Sequence, residues 1–286
     1  MKYEAPETLD DAVRLLSSGS GLTKILAGGT DLLVQMRTDV IEPDVVVDIK
    51  HIGEVRELKE EDGGFRIGAA ITGAELEEHP TLSKVWPGVV EGANLIGSTQ
   101  IQGRATMGGN LCNGSPAADS VPGLIAAGAT ARVAGPNGTR DIPVEDIMVG
   151  PRKLSIGKDE FVVSFFLPAR PSRASDAYER FIPRTEMDIA VVGCATALEL
   201  DESGKITRAR VSLGAVAARP LLVKEAADAI IGTSLDDDAM AKLDAAAQAA
   251  CAPINDKRGT IEYRTKVAGV LARRTAKTAY DRAQGK

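Results

Sequence analysis

The sequence is poor in the residues that build metal centres, disulfide frameworks and nucleophilic triads. Its 286 residues include three cysteines, Cys112, Cys194 and Cys251, and two histidines, His51 and His79. The cysteines are widely separated, which excludes a C-x-x-C motif, and they are too few for a disulfide framework or an iron–sulfur cluster. With two histidines, neither a metal site nor a histidine-based triad is expected. We interpret each histidine as a surface or helix-cap residue.

The chain also lacks an excess of positive charge and any long hydrophobic run. Lys and Arg number 34 against 40 Asp and Glu, which gives a net charge of −6. Without a basic face to neutralise phosphates, no nucleic-acid partner is expected. No stretch approaches the ~20 apolar residues of a membrane span, and the first ten residues have no signal-peptide core. We therefore expect a cytoplasmic protein without a membrane span.

The standard nucleotide-binding motifs are absent, but two glycine-rich segments are present. No G-x-G-x-x-G follows a predicted strand, and no G-K-[ST] occurs. The segments are 25–36 (ILAGGTDLLVQM) and 103–122 (GRATMGGNLCNGSPAADSVP), about eighty residues apart. Each contains a glycine pair, and glycine lets a polyanion approach a nest of backbone N–H groups. Paired glycines also make ordinary tight turns, so either segment alone is ambiguous.

Each glycine-rich segment leads into an apolar pattern that predicts the start of a helix. A helix N-terminus adds a favourable dipole and free N–H donors. Two such loops in one chain predict a long anionic ligand held from both sides, and the pyrophosphate of a dinucleotide fits this description. Because the Rossmann and P-loop fingerprints are absent, another fold must bind such a ligand.

Hydrophobic periodicity predicts alternating strands and helices. The expected helices lie at 8–16, 31–38, 73–78, 86–96, 116–127, 235–251 and 261–282. The expected strands lie at 24–27, 45–49, 65–72, 160–168, on both sides of the PNG turn at 136–138, and on both sides of the DESGK turn at 201–205. The first elements make a β-α-β unit in residues 1–50.

This pattern indicates an α+β protein of two domains. A stretch rich in Pro, Ser and Arg at 169–175 (ARPSRAS) marks the expected boundary. The first domain is expected over 1–172, with subdomains of about 1–55 and 56–172. The second is expected over 173–286.

The glycine-rich segments resemble those of the FAD-binding medium subunit of the molybdenum hydroxylases, the family of xanthine dehydrogenase and carbon monoxide dehydrogenase. The order and spacing of AGGTDLL (27–33) and TMGGNLCNGSPAADS (106–120) are specific to this family. The resemblance extends to 3–16, 160–168, 184–200 and 254–274. It implies a two-part FAD-binding domain of the vanillyl-alcohol-oxidase (PCMH) type, followed by a smaller α+β C-terminal domain.

The resemblance also implies which residues hold FAD. By this resemblance, both glycine-rich loops bind the pyrophosphate and ribityl part of FAD. The first-loop residues are Leu26, Ala27, Gly28, Gly29, Thr30, Asp31, Leu32 and Leu33, and the second-loop residues are Thr106, Gly108, Gly109 and Asn110. The family places an apolar residue against the flavin or adenine at Ile96 and Gly97, an acid facing the adenosine end at Asp119, and further contacts at Val162 and Arg180.

Some of these residues have simpler explanations. An acid such as Asp119 in a first helical turn needs no ligand to account for it. Arg180 stands where family members often have Lys, and a solvated surface charge is the alternative. Cys112 lies within the second loop, where we expect a small buried thiol rather than a reactive one.

The family's scheme implies the FAD-carrying electron-transfer subunit of a heterotrimeric molybdenum hydroxylase. An N-heterocycle, aldehyde or similar small substrate would be hydroxylated at molybdopterin on a large partner subunit. Electrons would pass through [2Fe–2S] clusters of a small partner subunit to non-covalent FAD here, and then to NAD, oxygen or a quinone. A dimer of heterotrimers is expected, and no catalytic acid or base is expected in this chain because the flavin carries the redox chemistry.

Two other functions are compatible with the glycine loops. One is a self-sufficient FAD-dependent oxidase of the vanillyl-alcohol-oxidase superfamily, which usually has its own substrate domain and often a covalent flavin link. The other is a scaffold that has lost its cofactor. Intact glycine loops argue against the second.

Overall fold

The chain begins with a small parallel sheet. In the computed structural model, which describes residues 1–19 and 21–285, strands β1 (Lys2–Glu4), β2 (Thr23–Leu26) and β3 (Val45–Asp48) pair in the order β1-β3-β2. Helix α1 (Leu9–Ser18) connects β1 to β2, and α2 (Leu32–Arg37) connects β2 to β3. The expected β-α-β unit is confirmed. Periodicity did not predict β1, because three residues are too few to show a period.

Helix α1 anchors this sheet to the rest of the domain. The Thr8 hydroxyl accepts a hydrogen bond from the Asp11 N–H at 3.1 Å and so caps the helix. Its apolar stripe buries Ala12 and Leu16 in a core that also contains Phe161 of the second sheet. One core therefore joins the first sheet to the second.

The second sheet is antiparallel, with strands in the order β4-β5-β10-β6-β7. Its strands are β4 (Leu58–Glu61), β5 (Gly64–Gly68), β6 (Thr130–Gly135), β7 (Gly138–Pro143) and β10 (Phe161–Leu167). A two-stranded hairpin, β8 (Met148–Gly150) and β9 (Lys153–Leu154), precedes β10. The helices between β5 and β6 are α3 (Gly73–Glu78), α4 (Leu82–Val85), α5 (Pro87–Asn94), α6 (Met107–Cys112) and α7 (Ser120–Ala126).

The third sheet is also antiparallel and carries the expected hairpin. Its strands, in sheet order, are β11 (Ala174–Phe181), β12 (Val192–Leu200), β13 (Ile206–Gly214) and β14 (Leu221–Leu222). The helices that follow are α8 (Lys224–Asp228), α9 (Asp237–Ala249) and α10 (Ile261–Ala283). Helix α10 buries a row of alanines, including Ala268, Ala272 and Ala276, in one core with residues of β12 and β13.

One expected helix boundary is wrong. The helix expected from 116 begins at Ser120, because the Ser115 hydroxyl accepts from the Ala117 N–H at 3.2 Å and holds a turn there. The stretch at 169–175, which marks the expected domain boundary, includes the first two residues of β11. Turn-forming side chains and strand edges are set by contacts that composition does not reveal.

The α+β fold class is confirmed, and each sheet is built within one of the three expected segments. The boundaries at 55 and 172 stay predictions. Among the described helices, none is long and apolar enough to cross a bilayer.

The second and third sheets meet through helix α5, which lies close to β11. A β-carbon on Gly88 would lie 2.6 Å from Asp176 Oδ2 and 2.8 Å from the Ala177 nitrogen. The Asp176 carboxylate also accepts from the Val89 N–H at 3.1 Å and pairs with Arg170 at 2.8 Å. The helix therefore sits against the strand with no room for a side chain.

Gly88→Ala is expected to destabilise the protein by about 1–3 kcal/mol, because an added methyl group would force the helix and strand apart. The measurement is the midpoint of denaturant unfolding followed by circular dichroism. Gly53→Ala is the matched control, since a β-carbon there meets no atom within 4 Å. Equal midpoints for the two variants would contradict this account of the α5–β11 contact.

Candidate functional site

The two glycine-rich loops meet at one cleft of about 530 Å³, lined by residues of the first and second sheets and of both loops. This volume lies within the range of small-molecule sites. Most of the predicted residues line it: Ala27, Gly28, Gly29, Thr30, Asp31, Leu32, Ile96, Thr106, Gly108, Gly109, Asn110 and Val162. Five predicted residues do not: Leu26, Leu33, Gly97, Asp119 and Arg180.

The fold itself requires both glycines of the first loop, Gly28 because of close packing and Gly29 because of its backbone conformation. A β-carbon on Gly28 would overlap the carbonyl oxygen of Arg104, which directly precedes the second loop. Gly29 has φ +81°, a left-handed conformation that favours glycine. The first loop is thus shaped so that its backbone touches the second.

The carboxyl ends of β2 and β3 are tied together behind the first loop. Lys50 Nζ donates to the Ala27 carbonyl oxygen at 3.1 Å and to Asp48 Oδ1 at 2.7 Å. The Tyr3 hydroxyl donates to Asp48 Oδ2 at 2.7 Å. Burial alone would raise the pKa of the Asp48 carboxyl, but the hydrogen bonds from Lys50 and Tyr3 outweigh it and lower that pKa.

The second loop forms the start of helix α6. The Thr106 hydroxyl accepts from the Gly109 N–H at 3.0 Å, so this amide is engaged as a helix cap. The N–H groups of Met107 and Gly108 have no intrahelical acceptor, as in the first turn of any helix. A β-carbon on Gly108 would lie 2.5 Å from the Ala69 carbonyl oxygen, whereas one on Gly109 would meet only the Thr106 hydroxyl, at 3.1 Å.

The Asn110 side chain ties the second loop to the next helix. Its Oδ1 accepts from the Ser120 N–H at 3.1 Å and from the Ser120 hydroxyl at 2.8 Å. Helix α7 is therefore capped by Asn110, and Asp119 makes no side-chain cap bond. The NH₂ group of Asn110, which lines the cleft, makes no hydrogen bond to a described residue.

Several cleft residues were not predicted from the sequence. Two are cations, Lys24 on β2 and Lys158 before β10, and neither is within ion-pair distance of an acid in the described structure. The remaining residues are mainly apolar and include Leu16, Leu22, Ile25, Ile49, Leu154, Ile156 and Phe161. Lys24 could have been found from its place in the strand that enters the first loop. Lys158 lies in a loop without any local signal.

Cys112 differs from the expected buried thiol. It is exposed on the wall of the cleft, and the protein around it raises the pKa of the thiol to about 12. A thiol with so high a pKa carries almost no thiolate at neutral pH. The low thiolate content follows from desolvation of the sulfur by the surrounding protein, although part of the residue is exposed at the cleft wall.

Asp119 and Arg180 pair with each other rather than facing the cleft. Arg180 Nη1 donates to Asp119 Oδ2 at 2.7 Å, and the Tyr178 hydroxyl donates to Asp119 Oδ1 at 3.1 Å. The Arg180 side chain is 3% exposed, so the alternative of a solvated surface charge is wrong. Burial raises the pKa of the Asp119 carboxyl to about 6, although Arg180 and Tyr178 act to lower it. The trio links α7 to β11, across the two domains.

Comparison with known families identifies the class of protein that this fold and cleft define. Residues 1–170 match the family profile described as the FAD binding domain in molybdopterin dehydrogenase, and residues 177–279 match that of the CO dehydrogenase flavoprotein C-terminal domain. The chain therefore belongs to the family of FAD-binding subunits of molybdopterin dehydrogenases, which are oxidoreductases. The resemblance read from the glycine segments is confirmed.

Individual relatives cover the whole chain. The carbon monoxide dehydrogenase medium chain of Afipia carboxidovorans is 35% identical over 99% of this chain and 97% of its own length. A putative xanthine dehydrogenase FAD-binding subunit of Escherichia coli is 32% identical, over 99% of this chain and 97% of its own length. A solved structure of reconstituted CO dehydrogenase from Oligotropha carboxidovorans superimposes with a TM-score of 0.94 at 34% identity, over 99% of this chain and 98% of that chain.

The second loop makes a sharp prediction about FAD retention. Gly109→Val should leave the protein folded, because the new side chain meets little backbone, yet it should narrow the cleft where the cofactor is expected. We expect Kd for FAD to rise at least tenfold, equivalent to a loss of about 1.4 kcal/mol in binding, and the flavin-to-protein absorbance ratio of the purified variant to fall below that of the unaltered chain. Gly103→Val is the control, since a β-carbon there meets no atom within 4 Å and Gly103 does not line the cleft.

Gly108→Ala should behave differently from Gly109→Val. Its β-carbon would press on the Ala69 carbonyl, so we expect a lowered unfolding midpoint as well as flavin loss. Full flavin content in Gly109→Val would rule out the second loop as part of the cofactor site.

The Asp119–Arg180 pair predicts a pH-dependent loss of stability. In Arg180→Met the buried carboxyl of Asp119 loses its partner, which we expect to cost about 3 kcal/mol near neutral pH. Because Arg180 acts to lower the pKa of Asp119, its removal should raise that pKa from about 6, so the carboxyl should be protonated at pH 5 and its burial should then cost little. The loss of stability should thus be larger at pH 8 than at pH 5, measured by denaturant unfolding. A loss that is the same at both pH values would contradict the assignment.

Proposed function

We propose that this chain is the FAD-carrying electron-transfer subunit of a heterotrimeric molybdenum hydroxylase. Residues 1–172 would bind the cofactor, and residues 173–286 would form the C-terminal domain packed against them. The observation that carries the proposal is the convergence of two distant glycine-rich loops on one cleft, in a chain of the FAD-binding family. A dinucleotide, with a charged pyrophosphate between two less polar ends, suits a cleft that combines glycine-rich loops with apolar side chains.

The cleft offers chemistry suited to such a ligand. The N–H of Gly108, which has no described acceptor, the start of the first loop at Gly28, and the two cations Lys24 and Lys158 suit a pyrophosphate. The apolar side chains of Ile96 and Val162 suit a ring and exclude water from it. Thr30 makes no hydrogen bond to a described residue, so its hydroxyl is available to the ligand. When bound, FAD supplies reversible electron transfer, and this chain supplies position and electrostatics.

The remainder of the redox chain would lie on partner subunits. Three scattered cysteines cannot hold a [2Fe–2S] cluster, and the described part of the chain contains no group of three His, Cys, Asp or Glu side chains placed to bind a metal. We propose that a large subunit carries molybdopterin and hydroxylates an N-heterocycle, an aldehyde or a similar substrate. A small subunit would carry the clusters that reduce the flavin, and NAD, oxygen or a quinone would reoxidise it. We further propose a dimer of heterotrimers.

The first test concerns the cofactor itself. The purified chain is expected to hold one FAD that acid precipitation releases into the supernatant, because no histidine lies within either glycine-rich loop to form a covalent link. Phosphodiesterase treatment of the released chromophore should convert it to FMN. A chromophore that remains in the pellet, or that is FMN from the start, would contradict non-covalent FAD.

The second test separates the subunit from the self-sufficient oxidase. Dithionite should reduce the flavin of the isolated chain, whereas purines, aldehydes and N-heterocycles should not. Substrate oxidation should appear only on co-expression with iron–sulfur and molybdenum subunits, and the three chains should co-elute. Stopped-flow bleaching of the flavin by an organic substrate in the isolated chain would overturn the proposal.

A further inference from the structure

One lysine outside the cleft holds a peptide group of the first loop in place. Lys50 follows β3 and bonds both the Ala27 carbonyl oxygen, at 3.1 Å, and Asp48 Oδ1, at 2.7 Å. Ala27 is the first residue after β2, where the chain leaves the sheet for the glycine pair. The ammonium group therefore sits at the edge from which the first loop starts, on the carboxyl ends of two adjacent parallel strands.

The geometry of a trans peptide turns this contact into a constraint on the cleft. In a planar trans peptide the C=O and the following N–H point in opposite directions, and no cis peptide bond occurs in the described chain. With the Ala27 carbonyl held towards Lys50, the Gly28 N–H must point away from Lys50. That N–H bonds no described residue, and Gly28 lines the cleft. The Gly28 N–H is thus a donor without a described acceptor, and the hydrogen bond from Lys50 to the Ala27 carbonyl fixes its direction.

The lysine is itself held in position by a buried acid. Asp48 is 4% exposed, and its carboxylate also accepts from the Lys50 backbone N–H at 3.0 Å and the Tyr3 hydroxyl at 2.7 Å. A carboxylate with these donors remains ionised at neutral pH and fixes the ammonium group. The Lys50 side chain keeps 28% of its surface exposed, so its charge is partly solvated.

We infer that Lys50 is a positioning residue for FAD, acting through the Ala27 carbonyl to aim the Gly28 N–H at the cofactor's pyrophosphate. This inference rests on the proposed function. Lys50 does not line the cleft, so it acts by a hydrogen bond to the loop and not by direct contact with the ligand. Lys24, which does line the cleft, is suited to the direct electrostatic role.

The test is a titration of the flavin-stripped full chain with FAD, followed by quenching of flavin fluorescence. Lys50→Met should raise Kd about tenfold or more, since a hydrogen bond involving a charged group is lost. Lys50→Gln should lie between Lys50→Met and the unaltered chain, because an amide N–H can still donate to Ala27 without a charge. Lys50→Arg should bind almost as well as the unaltered chain. Lys59→Met is the charge-matched control, as Lys59 is an exposed lysine that pairs with Glu57 and Glu61 away from the cleft.

Salt dependence distinguishes positioning from simple charge attraction. If Lys50 acts through the loop, Kd for Lys50→Gln should change with salt as steeply as Kd for the unaltered chain. Equal binding by Lys50→Met and the unaltered chain overturns the inference, as does Lys50→Gln binding as weakly as Lys50→Met with a flattened salt dependence. Circular dichroism confirms that each variant is folded, and the Gln and Arg variants carry the comparison if Lys50→Met is not. An unaltered chain that binds no FAD would instead overturn the proposed function.

Discussion

The carbonyl oxygen of Arg104 lies where the side chain of any residue other than glycine at position 28 would have to be. This approach brings the first loop, which leaves a parallel sheet, against the second loop, which begins a helix beside an antiparallel sheet. The contact between the two loops is supported by the hydrophobic core in which Leu16 of α1 packs with Phe161 and Val163 of β10. The cleft is therefore a consequence of how two sheets pack, and neither loop could form it alone.

A series of polar contacts connects the second loop to the C-terminal domain. Thr106 caps α6, Asn110 of α6 caps α7 through Ser120, and Asp119 at the start of α7 pairs with Arg180 of β11. Each of these contacts is buried or half-buried, so breaking one leaves a polar group without a partner. None of the described residues of the C-terminal domain lines the cleft, and these contacts connect that domain to the second loop.

The sequence was sufficient for those parts of the fold whose signal is local. The glycine pairs, the β-α-β unit and the hairpin around 201–205 each depend on neighbouring residues, and all of them are present. The pairing of Asp119 with Arg180 joins residues 61 positions apart, and no local pattern reports it. The start of α7 at Ser120 was likewise missed, because the residue that caps this helix, Asn110, lies ten positions upstream. Lys158 reaches the cleft only because the sheets pack as they do.

The structure requires glycine at the positions of the two loop pairs for different physical reasons. These reasons limit how strongly the glycine motif by itself indicates a bound ligand. Gly28 and Gly108 are required by close backbone contacts with Arg104 and Ala69, and Gly29 by its positive φ. Three of the four would thus be explained by the fold without any cofactor. Gly109 alone has open space where a side chain would be, apart from the Thr106 hydroxyl. The case for a ligand therefore depends on Gly109, on the free N–H donors and on the cations of the cleft. Packing of this fold requires glycine in the same short segments that we propose bind a pyrophosphate, so the motif can mark the family whether or not each glycine contacts the ligand.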